Sequence, residues 1–341
     1  MRATAPADRR PDRRSADSIA PQTVGAPDAA VRAAAGGAVR SLLVLHNPVA
    51  GLRRLGRFQC TLQALERQGC RIEVRRTTGP GDAAAFAAAA DGVDAVVVAG
   101  GDGTVNEALN GLARGSRPDL PLAVIPMGTA NVLAAELGLP HEPAPLARAI
   151  ARGPAVRAHL GVANGKRFSL MAGAGFDAHV VASVRTRVKR RLGKAAYILA
   201  ALEVAARFDH PTYRVEIDGV AYEAASAVVC KGHFYAGRYV LAPEARPWGP
   251  DLHVCLFERS GLLQPLRYGV AMQLGRLQRL PDFRVIRAHH VRIDGPDGDP
   301  VQGDGDLLTR LPLEIGVLQD AARFIVAEPD EPPFSRRGGP R

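Results

Sequence analysis

The sequence predicts an α/β domain followed by a second, mostly antiparallel β-sandwich domain. In the first half, short and almost uniformly apolar runs alternate with segments of helical periodicity, a pattern typical of a parallel sheet covered on both faces. From about residue 157, short β-rich runs are separated by turn residues such as Asp218-Gly219, a dipeptide typical of tight hairpins. A chain of 341 residues is long enough for both domains.

The first strand–helix–strand unit begins at Ser41. SLLVLHNP reads as a buried strand that ends in the Asn47-Pro48 turn. GRFQCTLQALERQG (56–69) spaces its apolar residues as an amphipathic helix that stops at a glycine, and RIEVRRT (71–77) alternates as a strand. A parallel strand pair with a helical crossover is therefore expected over 41–77.

The same pattern then repeats. Asp82 is expected to cap an Ala-rich helix, because aspartate is a favoured N-cap residue. DAVVVAG (94–100) and LPLAVIP (120–126) are predicted as buried strands, with a helix in NEALNGLARG (106–115) between them.

Loops that leave the carboxyl ends of these strands carry glycine and polar residues. They contain Asn47, Thr78, residues 100–104 and Gly128-Thr129. In open α/β sheets, ligands bind at this edge. The sequence therefore predicts a binding site built from these loops.

The stretch VVVAGGDGTVNEALNGL (96–112) supplies a strand, a glycine-rich turn and a helix start in that order. Glycine lets backbone N–H groups approach a phosphate closely, and a helix N-terminus adds attraction. Asn106 replaces the last glycine of the dinucleotide fingerprint G-x-G-x-x-G, and the Walker A lysine is absent from this region. The glycines alone are equally consistent with a phosphate loop and a plain turn.

Asp102 within this loop favours a functional interpretation. A carboxylate beside phosphate-binding amides is costly unless it has a cation or a proton to accept. A magnesium ion on nucleotide phosphates would supply the cation, and an attacking hydroxyl would supply the proton. The structural alternative is that Asp102 caps the helix that follows, a contribution of about 1 kcal/mol.

Composition excludes several other classes. No apolar stretch approaches the roughly 20 residues of a membrane span. Four scattered cysteines predict neither a disulfide framework nor a zinc site and suit a cytoplasmic protein. The net charge of +10 favours contact with anions. Residues 1–40 and 328–341 have few large apolar side chains and are predicted to be disordered.

Several motifs together resemble the diacylglycerol kinase catalytic domain, shared by bacterial lipid kinases, diacylglycerol kinases, and sphingosine and ceramide kinases. GGDGT alone is not specific for this family. The combination of GGDGT with P-x-G-T-x-N at this spacing and a late Asp-Gly-acid is specific. The resemblance covers roughly residues 41–327. Its motifs are HNPVAG (46–51), TTGPGDA (77–83), GGDGTVNEALNG (100–111), PMGTANVLAAELGLP (126–140), GAGFDA (173–178), RLGKAAYILAAL (191–202), HFYAGRYVLAPEA (233–245) and Gly303-Asp304-Gly305-Asp306.

The resemblance implies a nucleotide-binding domain over 41–156, similar to phosphofructokinases and NAD kinases, and a lipid-substrate β-sandwich over 157–327. It implies ATP and Mg²⁺ as cofactors. The implied reaction is transfer of the γ-phosphate of ATP to the hydroxyl of diacylglycerol or a related sphingoid-like lipid. An NAD kinase is disfavoured by PMGTAN and by the late GDGD. A non-catalytic lipid- or nucleotide-binding regulator on the same fold is the alternative from another class.

Site residues follow from the same resemblance. Asp102, Asp304 and Asp306 would be the catalytic acids, with Asp102 and Asp304 binding Mg²⁺ through ATP phosphates or water. Asp306 stands where the family has glutamate, so its reach is one methylene shorter. A solvated Gly/Asp turn is the alternative for both late acids. The nucleotide would be bound by Asn47, Thr78, Gly100, Gly101, Asp102, Gly103, Thr104, Asn106, Gly128, Thr129 and Asn131.

Two departures from the family concern a second metal. Lys231-Gly232 stands where Asn-Gly is usual, and residues 248–252 (WGPDL) replace a magnesium motif, Asp-Asp-Gly-Leu, of which only Asp251 remains. A strong second metal site is therefore not expected.

The expected partner is a membrane lipid at an anionic surface, with the protein cytoplasmic and peripherally associated with the membrane. RTRVKRRLGK (185–194) has six basic residues in ten and suits either anionic headgroups or a solvated helix face. No nucleic acid is expected, because no aromatic-basic recognition motif is present. The sequence leaves open whether the chain forms a homodimer.

Overall fold

The computed structural model describes residues 41–51, 54–183, 203–204 and 211–327. The predicted disordered segments, 1–40 and 328–341, and the basic stretch 185–194 lie outside the described residues. No helix within the described ranges is long and apolar enough to cross a membrane.

The first half is an α/β domain, as the alternating pattern predicts. Four parallel strands form the sheet in the order β2-β1-β3-β4. Strands β1, β3 and β4 are almost entirely buried, whereas β2 lies at the edge and is largely exposed, which explains why only its sequence alternates. The elements are β1 (Ser41–His46), α1 (Leu55–Arg67), β2 (Arg71–Arg76), α2 (Asp82–Ala88), β3 (Ala95–Gly100), α3 (Asp102–Leu112), β4 (Leu122–Pro126), α4 (Val132–Glu136) and α5 (Pro143–Arg152).

Within the described residues, the second half contains most of the remaining strands and two further helices. Its elements are β5 (Ala155–Ala163), β6 (Lys166–Phe168), β7 (Met171–Gly175), α6 (Phe176–Ser183), β8 (Tyr213–Ile217), β9 (Val220–Ala224), β10 (Ser226–Cys230), β11 (Phe234–Tyr235), β12 (Tyr239–Val240), β13 (Leu252–Phe257), α7 (Gln264–Gln273), a 3₁₀ turn (Leu277–Arg279), β14 (Phe283–Ala288), β15 (Val291–Asp294), β16 (Pro300–Gly303), β17 (Asp306–Arg310) and β18 (Leu313–Ile325).

These strands form the expected β-sandwich. A six-stranded antiparallel sheet, β14-β13-β10-β7-β16-β17, packs against β18, β15, β8 and β9 of the larger sheet. Phe168 and Tyr213 are fully buried in the apolar layer between the sheets. Asp218 and Gly219, both with positive φ, form the two-residue turn between β8 and β9, which confirms the predicted hairpin.

One strand joins the two halves. β18 pairs in parallel with β4 at Phe324 and Leu122, and antiparallel with β5 and β15. The larger sheet therefore has ten strands and runs through both halves. The boundary predicted between residues 156 and 157 falls inside β5, so the backbone crosses from one half to the other within a single strand.

The other face of the six-stranded sheet faces the α/β half. Val228, Cys230 and Cys255 of that sheet belong to the same apolar cluster as β1, β3 and β4. The carboxyl edge of the parallel strands consequently lies beside the start of β7 and the turn between β16 and β17.

Candidate active site

The loops after β3 and β4 are in direct backbone contact. Met127 and Gly128 donate their N–H groups to the carbonyl of Gly100 at 2.9 and 3.2 Å. A Cβ atom built on Gly128 would lie 2.5 Å from the Cα of Gly101, so a side chain cannot be accommodated there without a shift. Two loops predicted separately as phosphate-binding thus form one continuous surface at the N-terminus of α3.

Asn47 positions this surface from the end of β1. Its side-chain amide donates to Thr104 Oγ1 at 2.9 Å. Its side-chain oxygen accepts from the N–H groups of Val49 and Ala50. Thr104 in turn fills the space beside Gly100, where a Cβ would lie 2.7 Å from that of Thr104. The structure brings Asn47, Gly100 and Thr104 together as predicted.

Thr78 is exposed on the loop after β2, where Asp82 organises the backbone. The Asp82 carboxylate accepts hydrogen bonds from Thr78 N–H, Thr78 Oγ1 and Gly79 N–H at 2.7, 2.7 and 3.1 Å. These bonds, that from the Thr78 N–H first, lower the pKa of Asp82. The prediction that Asp82 caps α2 is wrong: Gly81, with φ of 91°, holds the N-cap position, and Asp82 begins the helix with its carboxylate turned back to the loop.

Asp102 begins α3, but its carboxylate bonds a different helix. Oδ1 accepts from Leu133 N–H at 3.1 Å, and Val132 N–H contributes a second bond, so the carboxylate caps the start of α4. The alternative that Asp102 caps its own helix is not what the structure shows. Burial of the carboxylate raises the pKa of Asp102 to about 6, against the lowering effect of these N–H groups; Asp304 raises it further.

Asp304 is held by five donors. Its Oδ1 accepts from the N–H groups of Leu170 and Met171 at 2.9 and 3.0 Å. Its Oδ2 accepts from Ser169 N–H, Ser169 Oγ and the amide of Asn106 at 2.8, 2.9 and 2.8 Å. A carboxylate offers about four lone-pair sites, so these donors saturate it. The arrangement argues against the predicted roles of Asp304 in catalysis and magnesium binding and makes it an anchor between α3 and β7.

Asp306 lies two residues further along and is exposed at the cleft. Its Oδ2 would be 1.9 Å from a Cβ built on Gly103, so the carboxylate rests directly on the first turn of α3. The absence of a side chain at Gly103 makes this approach feasible. Of the two late acids, Asp306 is therefore the one that faces the predicted phosphate surface.

The side chain of Asn106 bonds to the second half of the chain, and its role in nucleotide binding stays a prediction. Its amide donates to Asp304 and to the carbonyl of Arg167 at 2.8 and 3.1 Å. Asn110, one turn later, donates to the same carbonyl and accepts from Arg167 N–H. Both amides lie on one face of α3 because their spacing is four residues. This spacing is visible in the sequence and could have identified a contact with the second half.

The loop after β4 carries the remaining predicted nucleotide residues. Asn131, with φ of 50°, precedes α4 and donates to the Gly128 carbonyl at 2.8 Å. Thr129 is exposed between them. Sequence reasoning missed two arginines at the start of α1: Arg54, its N-cap residue, donates to the Gly128 carbonyl, and Arg57, in its first turn, donates to the Pro126 carbonyl. They place positive charge beside the predicted phosphate surface.

Glu107 is a further acid that was missed. It lies on α3, one turn after Gly103, and its carboxylate accepts from Gly81 N–H at 3.2 Å. Burial, with Asp306 and Asp82 nearby, raises the pKa of Glu107. Within the described residues, no group of three or more acidic, histidine or cysteine side chains is arranged as a complete metal site. Asp102 and Asp306 suit the other mode of magnesium binding, in which one or two carboxylates supplement phosphate oxygens and water.

The turn that carries Asp304 and Asp306 is fixed from behind by a chain of hydrogen bonds. Gly305 N–H donates to Gln302 Oε1 at 3.2 Å, and the Gln302 amide donates to Asp177 Oδ2 at 2.9 Å. The hydroxyl of Tyr235 donates to the other oxygen of Asp177. Burial raises the pKa of Asp177. The chain connects the acidic turn to α6 and to the β11-β12 hairpin.

The two segments at which the sequence departs from the family's second metal motif are in contact through Lys231. Lys231 is fully buried, and its Nζ donates to the carbonyls of Arg246, Gly249 and Asp251 at 3.1, 2.5 and 3.2 Å. The Asp251 carboxylate is engaged by Arg287 and by His289 at 3.1 Å. These residues do not fit a magnesium ion, because the carbonyl oxygens that it would need accept from Lys231.

Comparisons with known proteins match both halves of the chain to families. Residues 41–163 match the family described as "Diacylglycerol kinase catalytic domain", and residues 171–326 match "YegS C-terminal NAD kinase beta sandwich-like domain". A probable lipid kinase YegS-like of Pseudomonas aeruginosa is 38% identical over 305 residues, covering 83% of this chain and 97% of that protein.

Two further relatives extend the comparison. The diacylglycerol kinase of Bacillus subtilis is 30% identical over 280 residues, covering 80% of this chain and 91% of that protein. The crystal structure of a putative diacylglycerol kinase from Bacillus anthracis superposes with a TM-score of 0.70 at 25% identity, over 85% of this chain and 96% of that one.

Proposed function

This chain belongs to the diacylglycerol kinase family of lipid kinases, and from that premise we propose that it transfers the γ-phosphate of ATP to the hydroxyl of diacylglycerol or a related sphingoid-like lipid. The observation that carries the proposal is the approach of Asp306 to Gly103 in the first turn of α3. It brings an acid from the β-sandwich half to the surface on which the α/β half would bind phosphate.

The N-terminus of α3 would bind the nucleotide phosphates. The backbone around Gly101 and Gly128 offers N–H groups and the positive end of the helix dipole, and Arg54 and Arg57 add charge. Phosphoryl transfer depends on such positioning and on charge neutralisation. When bound, Mg²⁺ would neutralise charge on the phosphates, with Asp102 and Asp306 as the carboxylates within this surface.

We assign the base to Asp306, since the oxygens of Asp304 are saturated by five donors. The lipid hydroxyl would give its proton to the Asp306 carboxylate while its oxygen bonds to the γ-phosphorus. The bond from that phosphorus to the β–γ bridging oxygen breaks, and ADP leaves with the electron pair. The product is a lipid phosphate monoester.

The substrate would come from a membrane, so we propose a cytoplasmic protein that associates peripherally with an anionic lipid surface. The charge of +10 supports this placement. The basic stretch 185–194 is part of the same proposal but lies outside the described residues.

Transfer of radiolabelled phosphate from ATP tests the function. The panel contains diacylglycerol, monoacylglycerol, ceramide, sphingosine and, for the NAD kinase alternative, NAD. We expect label in at least one lipid, and a loss of about 10²–10⁴-fold in kcat for Asp306→Asn, the usual contribution of a general base. Asp306→Glu restores the family's residue and should retain activity. Label in NAD but in no lipid would refute the proposal.

A further inference from the structure

Helix α7 has one buried face and one exposed apolar face. Tyr268 and Ala271 are buried, and the Tyr268 hydroxyl donates to the Asp282 carboxylate at 2.6 Å. Five large apolar side chains on this helix and in the turns that flank it are 46–70% exposed and are here called the α7 face: Leu262, Leu263, Leu266, Val270 and Leu274. Leu266 and Val270 are one turn apart on the helix, and Leu262 and Leu274 continue the four-residue interval at its two ends.

The α7 face is a concentration of apolar surface and not a random scatter. Within the described residues, ten large apolar side chains are exposed, and half of them belong to this one stripe of thirteen residues. Single exposed leucines are normal on soluble proteins, whereas a contiguous patch marks an interaction surface.

The surroundings of the α7 face are basic. Residues 258–284 contain five arginines and two acids. Both acids are in ion pairs: Glu258 with Arg284, and Asp282 with Arg267 at 2.6 Å. Arg276 and Arg279 follow the helix and are exposed. An apolar stripe bordered by arginines is the pattern of helices that lie in the interface of anionic membranes.

We propose that the α7 face docks on a membrane surface that contains anionic lipids. The leucines would enter the boundary between headgroups and acyl chains, and Arg276 and Arg279 would contact lipid phosphates. A second copy of the chain is the less favourable occupant. A two-fold contact would bring this basic patch onto itself and place like charges opposite one another.

The role of the α7 face in substrate access rests on the proposed lipid kinase function. The amide of Gln278, just after α7, donates to the carbonyls of Val240 and Leu241 at 3.3 Å. β12 pairs with β11, whose Tyr235 contacts Asp177 and, through Gln302, the turn that carries Asp306. Docking through α7 would therefore hold the acidic turn close to the membrane that supplies the lipid.

Vesicle sedimentation of the full chain tests the surface. The probes are phosphatidylcholine vesicles with and without phosphatidylglycerol. Leu263→Gln combined with Leu266→Gln should weaken binding to the anionic vesicles by at least about tenfold. Val220→Gln is the matched control, since Val220 is 55% exposed on the β8-β9 hairpin and does not belong to the α7 face, and it should bind as wild type does. Unchanged binding of the double leucine variant would overturn the proposal.

Substitution of the two arginines that follow α7 is an independent test of the docking surface. Arg276→Gln combined with Arg279→Gln should weaken binding to the anionic vesicles and leave the weaker binding to phosphatidylcholine unchanged. Sedimentation velocity tests whether a second copy of the chain covers the α7 face instead. If wild type is a dimer, the leucine variant is a monomer and vesicle binding persists, the α7 face contacts another copy and the proposal is wrong.

Activity measurements separate this proposal from the proposed function. The leucine variant should phosphorylate a water-soluble short-chain diacylglycerol as wild type does, and lose at least about tenfold on a long-chain diacylglycerol in anionic vesicles. Equal losses on both substrates would overturn the docking role. If wild type phosphorylates neither substrate but its vesicle binding still depends on the α7 face, the proposed function fails and the docking surface stands.

Discussion

Substitution of Lys231 by methionine tests whether a buried ammonium group fixes the segment between β10 and β13. Methionine is of similar length but donates no hydrogen bond. The carbonyls of Arg246, Gly249 and Asp251 would each lose a charged donor, although that of Arg246 also accepts from Gly249 N–H at 3.0 Å. The variant therefore removes a cross-link without creating a large cavity.

Two opposing terms set the size of the effect. A hydrogen bond from a charged donor contributes about 1.5–3 kcal/mol, so three contribute roughly 4.5–9 kcal/mol. Burial lowers the pKa of Lys231 to about 8, which corresponds to a cost of about 3 kcal/mol for keeping the ammonium charged. The net loss in Lys231→Met is then about 1.5–6 kcal/mol. At about 2–4 °C per kcal/mol, the melting temperature should fall by at least about 3 °C.

Thermal unfolding monitored by circular dichroism at pH 7 measures this change. Lys166→Met is the matched control, because Lys166 is exposed and donates to one carbonyl, that of Leu308; its effect should stay below about 2 °C. The folded pKa lies below the ordinary value, so the unfolded chain binds more protons between about pH 8 and 10.5. The stabilisation by Lys231 should therefore increase as pH rises through that window.

A melting temperature of Lys231→Met within the range of the control would refute the cross-link. Removal of divalent ions with EDTA should leave the wild-type melting temperature unchanged, because the ammonium already occupies the carbonyl oxygens. A fall on EDTA treatment would show that a metal is bound at this segment after all.

Three further variants test the site. Gly128→Ala should raise the KM for ATP by at least about tenfold, because the added Cβ would lie 2.5 Å from the Cα of Gly101. Gly56→Ala is the control and should leave the KM unchanged, because the space around Gly56 is open. Asp304→Asn should lower the melting temperature by about 5 °C or more, because buried donors lose part of their acceptor. Asp297→Asn, on an exposed turn, should leave the melting temperature unchanged. Equal melting temperatures of the two variants would contradict the anchoring role of Asp304. Asp102→Asn should lose at least about a hundredfold in kcat, yet it should melt no lower than wild type at pH 7. Burial raises the pKa of Asp102 to about 6, so the folded state binds more protons than the unfolded chain between about pH 4 and 6. Above that window the charged carboxylate is destabilising, and its removal therefore does not lower the melting temperature. The wild-type kcat should correspondingly fall as pH drops through about 6, and a flat profile would show that the ionised carboxylate is not required.

The parallel arrangement of the first half could be predicted because its strands are buried on both faces and read as continuous apolar runs. Parallel strands align their carboxyl ends, so the sequence also predicted that Asn47 and the loops at 100–104 and 128–129 would meet. The pairing of β18 with β4 could not be predicted, because it rests on one parallel register between distant segments.

Individual roles depended on details that spacing does not encode. Asp304 and Asp306 both follow a glycine, but only Asp304, which has a positive φ, is buried. The carboxylate of Asp102 caps α4 and not the helix it begins, since the β4 loop folds back onto the glycines. The contacts of Arg54 and Arg57 with the β4 loop could not be predicted, because they depend on the path of the chain after the Asn47-Pro48 turn.

The pairing of β18 with β4 also imposes an order on events at the ribosome. Leu122 is synthesised about 200 residues before Phe324, its partner in the sheet. At typical translation rates, the apolar edge of β4 emerges about ten seconds or more before the strand that covers it. A nascent chain in this state presents an unpaired, hydrophobic strand edge, which is a template for aggregation. The sheet of the α/β half is consequently completed only by the last of its strands to be made.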